Sequence, residues 1–350
     1  MKADFTFIDQ TLGEALERRY LDISEFICVK QKIATLSQFV FDLTVHSLLA
    51  VLHYDALVVK DIRVCIQPNL EQVAQVHQCG CRNVKISLNY KDVRKLPDLV
   101  AQALSEACKW QMTISLHITG SCRYEASDIL YLGKIIKEYS ISSIIFDDED
   151  SELDSVNTYC TLLDLQKQIP CPIEYYGKNA MGLATGNALG AIKSGIRYIA
   201  VSVGGVAGYP AFEEVLMGAR YLLNFPLDVP PNMAIRCEEL LSYVGQSVKA
   251  TKAIIGSYIF AHESGIHVDG VNKKSDLYEP FTPETVGLIR KIIIGKHSGK
   301  AAIELKLKEM NIFVLPIVVI KVLEKVRGLA IRQKAPVSDL QLQKLVYEVA

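Results

Sequence analysis

VKISLNYKDVRKLPDLVAQALSEACKWQMTISLHI, residues 84–118, decides the fold. VKISLNY (84–90) and MTISLHI (112–118) are short runs rich in β-forming residues. Between them, LPDLVAQALSEACKW carries apolar residues at the spacing of an amphipathic helix. A strand, a helix and a strand in that order form a βαβ unit, so the two strands run parallel.

The same alternation extends in both directions. FTFID (5–9), IRVCIQ (62–67), SSIIFDD (142–148), PIEYYGK (172–178) and YIAVSV (198–203) read as further strands. Helical spacing follows in NLEQVAQVHQC, ASDILYLGKIIKEY, VNTYCTLLDLQKQ, GLATGNALGAIKSG and FEEVLMGARYLLN. That gives about seven strands, with an eighth placed in the less patterned stretch 40–60. Eight βα units over about 250 residues fit a TIM barrel. No early G-x-G-x-x-G favours a doubly wound dinucleotide fold.

Near residue 225 the texture changes. FPLDVPPN is a proline-rich connector. A helix around 235–250 follows, then a stretch rich in Gly and His from 256 to 300. Helices are expected near 299–310 and 316–333, and a last one opens at Ser338 and Asp339, good N-cap residues. The expected organisation is a barrel over 1–250, a small subdomain over 251–298 and terminal helices over 299–350.

Composition narrows the function. The chain has 350 residues, half of them hydrophobic, and a net charge of -1, which argues against a general nucleic-acid or membrane-surface binder. Its longest apolar run, IFVLPIVVI (312–320), is too short to span a bilayer and reads as core. The start shows no basic segment followed by an apolar one, so the expected location is cytoplasmic. Nine scattered cysteines argue against a disulfide framework. Cys79-Gly80-Cys81 reads as a helix end turning at Gly80 rather than a metal pair. The acidic run DDEDSELD (147–154) reads as a solvated loop. Gly204, Gly205 and Gly208 read as a turn needing positive φ rather than a phosphate cradle.

AHESGIHVDG (261–270), YEPF (278–281) and GKHSGKAAI (295–303) resemble, in that order, motifs of the homocitrate synthase and isopropylmalate synthase family. Weaker similarity covers nearly the whole chain, and within the family it is most like the homocitrate synthases of nitrogen fixation. The resemblance implies a TIM barrel followed by a small subdomain and helices. It also implies condensation of acetyl-CoA with a 2-oxo acid on a divalent metal that acts as Lewis acid and template.

The family's metal site comes from D-T-T-L-R-[D/E]-G-E-Q on the first strand and H-x-H-N-D-x-G later. Two imidazoles two residues apart on a strand share a face and converge on one ion. The aligned positions here are Tyr176 and Lys178, so both histidines are replaced. A phenol is a poor ligand at neutral pH, and an ammonium brings positive charge where a cation should sit. Gly13 stands where the family has the arginine that stabilises the oxyanion, and Glu14 alone keeps a ligand type. G-A-E-D-A-S-R aligns with residues 118–124 without its acids, and G-L-G-E-R-A-G-N with 202–209 without its Glu-Arg pair. Glu14, Tyr176 and Lys178 are therefore vestigial metal positions, and no cofactor is expected in this chain.

The C-terminal motifs are kept. In the family, the histidine of G-I-H-V-D-G and the tyrosine of Y-E-P-F assist proton transfer, reaching the barrel of the other protomer. His267 and Tyr278 stand at those positions, as do Glu263, Gly265, Asp269 and Gly270 in their motifs. His262 and His297 read as structural, and Asn187 as a plain helix position.

The resemblance thus points to an omega-type partner subunit. It would pair with an active homocitrate synthase chain that holds the divalent metal, lending it His267 and Tyr278 as catalytic residues at a shared site for acetyl-CoA and a 2-oxo acid. Two alternatives stand beside it: a barrel enzyme of changed chemistry using Lys178 as a Schiff-base lysine, and a non-catalytic protein that binds an acyl-CoA or 2-oxo acid. Lys178 is expected to face Glu14, with Tyr176 filling the space behind it.

Overall fold

The computed structural model describes residues 5–52, 59–148, 150–263 and 279–349. It contains the eight-stranded barrel. The strands are β1 Thr6–Asp9, β2 Phe39–Thr44, β3 Ile62–Ile66, β4 Asn83–Asn89, β5 Thr113–Thr119, β6 Ser143–Asp148, β7 Ile173–Gly177 and β8 Tyr198–Val201. They close in sequence order, and every neighbouring pair is parallel. β2 is the eighth strand expected in 40–60. Asp42 interrupts its apolar run, which is why the stretch carries a weak pattern.

The barrel helices include α1 Thr11–Glu17, α2 Phe26–Ala34, α3 Val45–Leu52, α4 Leu70–Gln78, α5 Asp98–Lys109, α6 Ala126–Glu138, α7 Ser155–Gln168, α8 Ala184–Ser194 and α9 Phe212–Tyr221. The strands alternate: Val84, Ile86 and Leu88 of β4 are buried against the helical layer, while Lys85 and Ser87 bond to groups on other strands inside the barrel. An aromatic cluster seals one side of the helical layer. Phe212 packs edge-on to Phe7 at 5.1 Å between ring centroids and tilted on Phe39 at 5.1 Å.

The Gly80 and Gly204-Gly205 turns are as expected, while Asp154 and Asn187 do more than expected. α4 ends at Gln78 with Cys79 as its C-cap, and Gly80 turns with φ of 77°. Asp154 caps α7 by accepting from the N–H groups of Val156 and Asn157. Gly204 and Gly205 take φ of 66° and 80° in the turn after β8. Asn187 is more than a helix position: it is buried, its Nδ2 donates to Leu153 O at 2.7 Å, and it accepts from Ser155 Oγ at 3.2 Å. It ties α8 to the start of α7.

Chain contacts separate two compact units. One runs to Pro230 and takes in Arg236–Ser247; the other comprises Pro231–Ile235 and the chain from Val248 onward. The expected helix around 235–250 spans Met233–Tyr243. In the second unit, helices Lys300–Glu309, Pro316–Gln333 and Asp339–Tyr347 pack through Ile303, Leu307, Val322, Val326, Leu342 and Val346. Ser338 caps the last helix through a reciprocal pair with Gln341.

The apolar run 312–320 is not simply core. Pro316 begins a helix there, and the helical period turns Val319 inward while Phe313, Leu315, Ile317 and Ile320 stay exposed. Among the described residues, no helix is long and apolar enough to cross a membrane.

Candidate functional site

In a TIM barrel the strands' C-terminal ends open onto one face, where active sites form. Glu14 reaches this face from the first turn of α1, and Lys178 follows directly on β7. Lys178 Nζ lies 3.9 Å from Glu14 Oε1, inside the 4–6 Å or so over which opposite charges matter strongly. The ammonium also sits 3.3 Å from the centroid of the Tyr209 ring and donates to Ala207 O at 3.3 Å. Arg18 Nε donates to the other oxygen of Glu14 at 3.1 Å. Two cations and an aromatic face therefore occupy the surroundings of Glu14.

A divalent ion does not fit this arrangement. Glu14 is already paired, Lys178 adds a positive charge beside it, and no group of three His, Cys, Asp or Glu suited to a metal occurs among the described residues. Gly13 closes the site further. A Cβ built on it would stand 2.5 Å from the carbonyl oxygen of Asp42, so the backbone of β2 occupies the space that a side chain at this position of α1 would need.

Tyr176 points into the barrel and is fully buried. Its hydroxyl donates to Asp42 Oδ2 at 2.7 Å and accepts from Arg63 Nη2. Around it lies an ionic network that the sequence reading did not single out. Arg63 Nε pairs with Asp42 Oδ1 at 2.8 Å, and its Nη1 pairs with Glu174 Oε2 at 2.7 Å. Lys85 Nζ pairs with Asp42 Oδ2 at 2.8 Å, and Ser143 Oγ donates to Glu174 Oε1 at 2.6 Å. The two cations and two carboxylates balance. Burial alone would raise Asp42, but the Arg63 and Lys85 charges hold its carboxyl well below the usual range.

A signal for these residues exists in the sequence. Phe41-Asp42-Leu43, Ile62-Arg63-Val64, Val84-Lys85-Ile86 and Ile173-Glu174-Tyr175 each set one charge between apolar neighbours on a strand. At a period of two, that places the charge on the inner face.

His267 and Tyr278 lie outside the described residues, as do Gly265, Asp269 and Gly270. Flanking groups are described. Glu263 Oε1 accepts from the His297 backbone N–H at 2.9 Å, His262 Nε2 lies 3.7 Å from Glu279 Oε1, and Gly295 N–H donates to Ser298 Oγ at 2.9 Å. In the acidic run, Arg123 pairs with Asp150 at 3.2 Å and with Glu152. Asp150 and Glu152 are exposed, as the loop reading expects, but Asp147 and Asp148 are buried at the end of β6, which corrects that reading for the first two acids; Glu149 lies outside the described residues.

The profile described as HMGL-like matches residues 35–235, more than half of the chain. The chain belongs to the HMGL-like family. This HMGL-like chain also matches the profile "homocitrate synthase post-HMGL domain-like" over residues 254–334. It is 32% identical to 2-isopropylmalate synthase 2 of Caldanaerobacter subterraneus subsp. tengcongensis, over 86% of this chain and 79% of that one. It is 29% identical to homocitrate synthase 1 of Nostoc sp., over 85% and 80%. The family is therefore that of the homocitrate and 2-isopropylmalate synthases, as the motifs imply. Hydroxymethylglutaryl-CoA lyase of Pseudomonas aeruginosa shares the fold, with a TM-score of 0.52 at 13% identity over 70% of this chain and 93% of that one.

Proposed function

We propose that this HMGL-like chain is a subunit of a homocitrate synthase, an acyltransferase condensing acetyl-CoA with 2-oxoglutarate. It lends its C-terminal subdomain to an active partner chain, while its own barrel performs no condensation. The observation that carries this reading is Lys178. Its ammonium faces Glu14 at 3.9 Å and rests on Tyr209, and by the motif resemblance Lys178 stands at the position of the family's second imidazole. Gly13, pressed on Asp42, supports it, because no side chain there can take the arginine's part. The kept motifs support the other half: the match over 254–334 spans the positions of His267 and Tyr278. In the partner's site these two residues would assist proton transfer, and the divalent metal would belong to that partner.

The Schiff-base reading of Lys178 needs a free amine in the neutral form. Lys178 Nζ lies instead against the Glu14 carboxylate, the Ala207 carbonyl and the Tyr209 ring, contacts that engage it rather than present it to a carbonyl substrate.

The test is homocitrate formation from acetyl-CoA and 2-oxoglutarate, followed by mass spectrometry with Mg²⁺, Mn²⁺ or Zn²⁺ present. The isolated chain should make none. Mixed with an active synthase chain carrying intact R-D-G and H-x-H motifs, it should raise that chain's rate. His267→Ala and Tyr278→Phe should each remove most of the gain, since lost acid–base assistance costs about 10²–10⁴-fold. Homocitrate from the isolated chain would overturn the inert barrel; an unchanged gain in both variants would overturn the lending.

A further inference from the structure

A second polar set stands inside the barrel on three consecutive strands, separate from the pairs that Arg63 makes. Ser87 of β4 and His117 of β5 are register partners, with Ser87 Oγ 3.4 Å from His117 Nδ1. The other ring nitrogen, Nε2, faces Asp147 of β6 with Oδ2 at 3.5 Å. That is ion-pair range, yet Nε2 makes no hydrogen bond among the described residues. His117 and Asp147 are buried, whereas Ser87 keeps partial exposure. Asp147 is fixed from behind: it accepts from the Gly120 N–H at 3.3 Å, and its carbonyl accepts from Ser121 Oγ at 3.1 Å.

A serine, a histidine and a carboxylate in line are the parts of an activated nucleophile, recognised by geometry and role rather than by chain order. Separations near 3.5 Å are longer than working hydrogen bonds, and such contacts commonly tighten only when substrate binds. Most buried polar atoms are bonded, so a buried ring nitrogen without a bond calls for a reason.

We propose that Ser87, His117 and Asp147 form a nucleophilic site for short activated acyl compounds, esters or thioesters. Short groups are favoured because the Tyr176 ring, 5.9 Å from that of His117 and fully buried, closes the space beneath. Ser87 Oγ bonds to the acyl carbonyl carbon while its proton passes to His117. The bond to the leaving alcohol or thiol breaks, and the leaving group takes that proton. Water then adds to the acyl-serine by the same proton route, releasing the acid and restoring Ser87. The sum is ester or thioester plus water giving acid plus alcohol or thiol. Asp147 orients the imidazole and offsets its charge. Asn89, two residues on along the same face of β4, holds Thr119 Oγ1 only at 3.4 Å and is the donor for the oxyanion. The site uses none of Glu14, Lys178, His267 or Tyr278, so it stands or falls apart from the subunit reading.

The full chain should be treated with phenylmethylsulfonyl fluoride and, separately, with p-nitrophenyl acetate, and adducts mapped by peptide mass spectrometry. The expected result is modification at Ser87 in the native protein and none after unfolding in urea. His117→Gln should slow it by roughly 10²-fold or more. A native protein without a Ser87 adduct overturns the proposal. So does an unchanged rate in His117→Gln with native melting, or equal labelling of native and unfolded protein. If His117→Gln fails to fold, the comparison of native with unfolded wild type decides.

Discussion

Arg63→Met tests whether the barrel interior is a self-neutralised filling rather than a site kept charged for a ligand. The change removes the cation between Asp42 and Glu174 and keeps most of the volume. Asp42 retains Lys85 at 2.8 Å, the Tyr176 hydroxyl at 2.7 Å and Gln10 Nε2 at 3.1 Å. Glu174 retains the hydroxyls of Ser115 at 3.2 Å and Ser143 at 2.6 Å, and no cation among the contacts described. Most of the loss therefore falls on Glu174, left buried with its charge uncompensated. Removing one partner of a buried pair costs about 3–5 kcal/mol. At about 2–4 °C per kcal/mol for a unit of this size, Tm should fall by roughly 6–20 °C.

Urea unfolding followed by circular dichroism at neutral pH gives the free energy directly. Arg63→Met combined with Glu174→Gln should recover part of the loss, because the stranded charge is gone. The acid limb should also move. Asp42 is held below its ordinary range, so its contribution is present above the unfolded pKa of about 4 and lost as pH falls below it. Without Arg63 the depression lessens and the acid dependence flattens. A loss under about 1 kcal/mol with an unchanged urea slope would refute the reasoning.

Two further outcomes are expected. Gly13→Ala should destabilise the barrel by about 1–3 kcal/mol, because its Cβ would meet the Asp42 carbonyl at 2.5 Å; Gly13→Arg should therefore not restore condensation, and a normal Tm for Gly13→Ala would contradict this. Asp9 is buried and its carboxyl is pushed up to about 6, chiefly by burial. Between the unfolded value near 4 and about 6 the folded state binds more protons, so this contribution is full below pH 4 and lost as pH rises through 6. Asp9→Asn, which keeps an acceptor for the Leu12 N–H, should stabilise the protein at pH 7.5 but not at pH 4, read as Tm at the two pH values.

The sequence by itself determined the barrel and its strand faces. Alternating β-rich and amphipathic segments require parallel strands, and eight such units close on themselves. The resemblance of the sequence to the synthase motifs implies that Tyr176 and Lys178 stand where the family has imidazoles. The charges of Asp42, Arg63, Lys85 and Glu174 each stand between apolar neighbours in the sequence, a signal for the inner face that becomes readable only once the strands, β2 above all, are placed.

Tertiary structure alone decided their partners. Arg63 meets Glu174 across 111 residues of chain and from β3 to β7, a contact that exists only because the sheet closes. The same holds for Gly13, whose missing side chain reads in sequence as a lost arginine. In the folded chain the Asp42 carbonyl stands against it. Local pattern fixes which face a side chain takes, because that depends on backbone period. Which group it meets there depends on the register and closure of strands far apart in the chain, and no local pattern carries that.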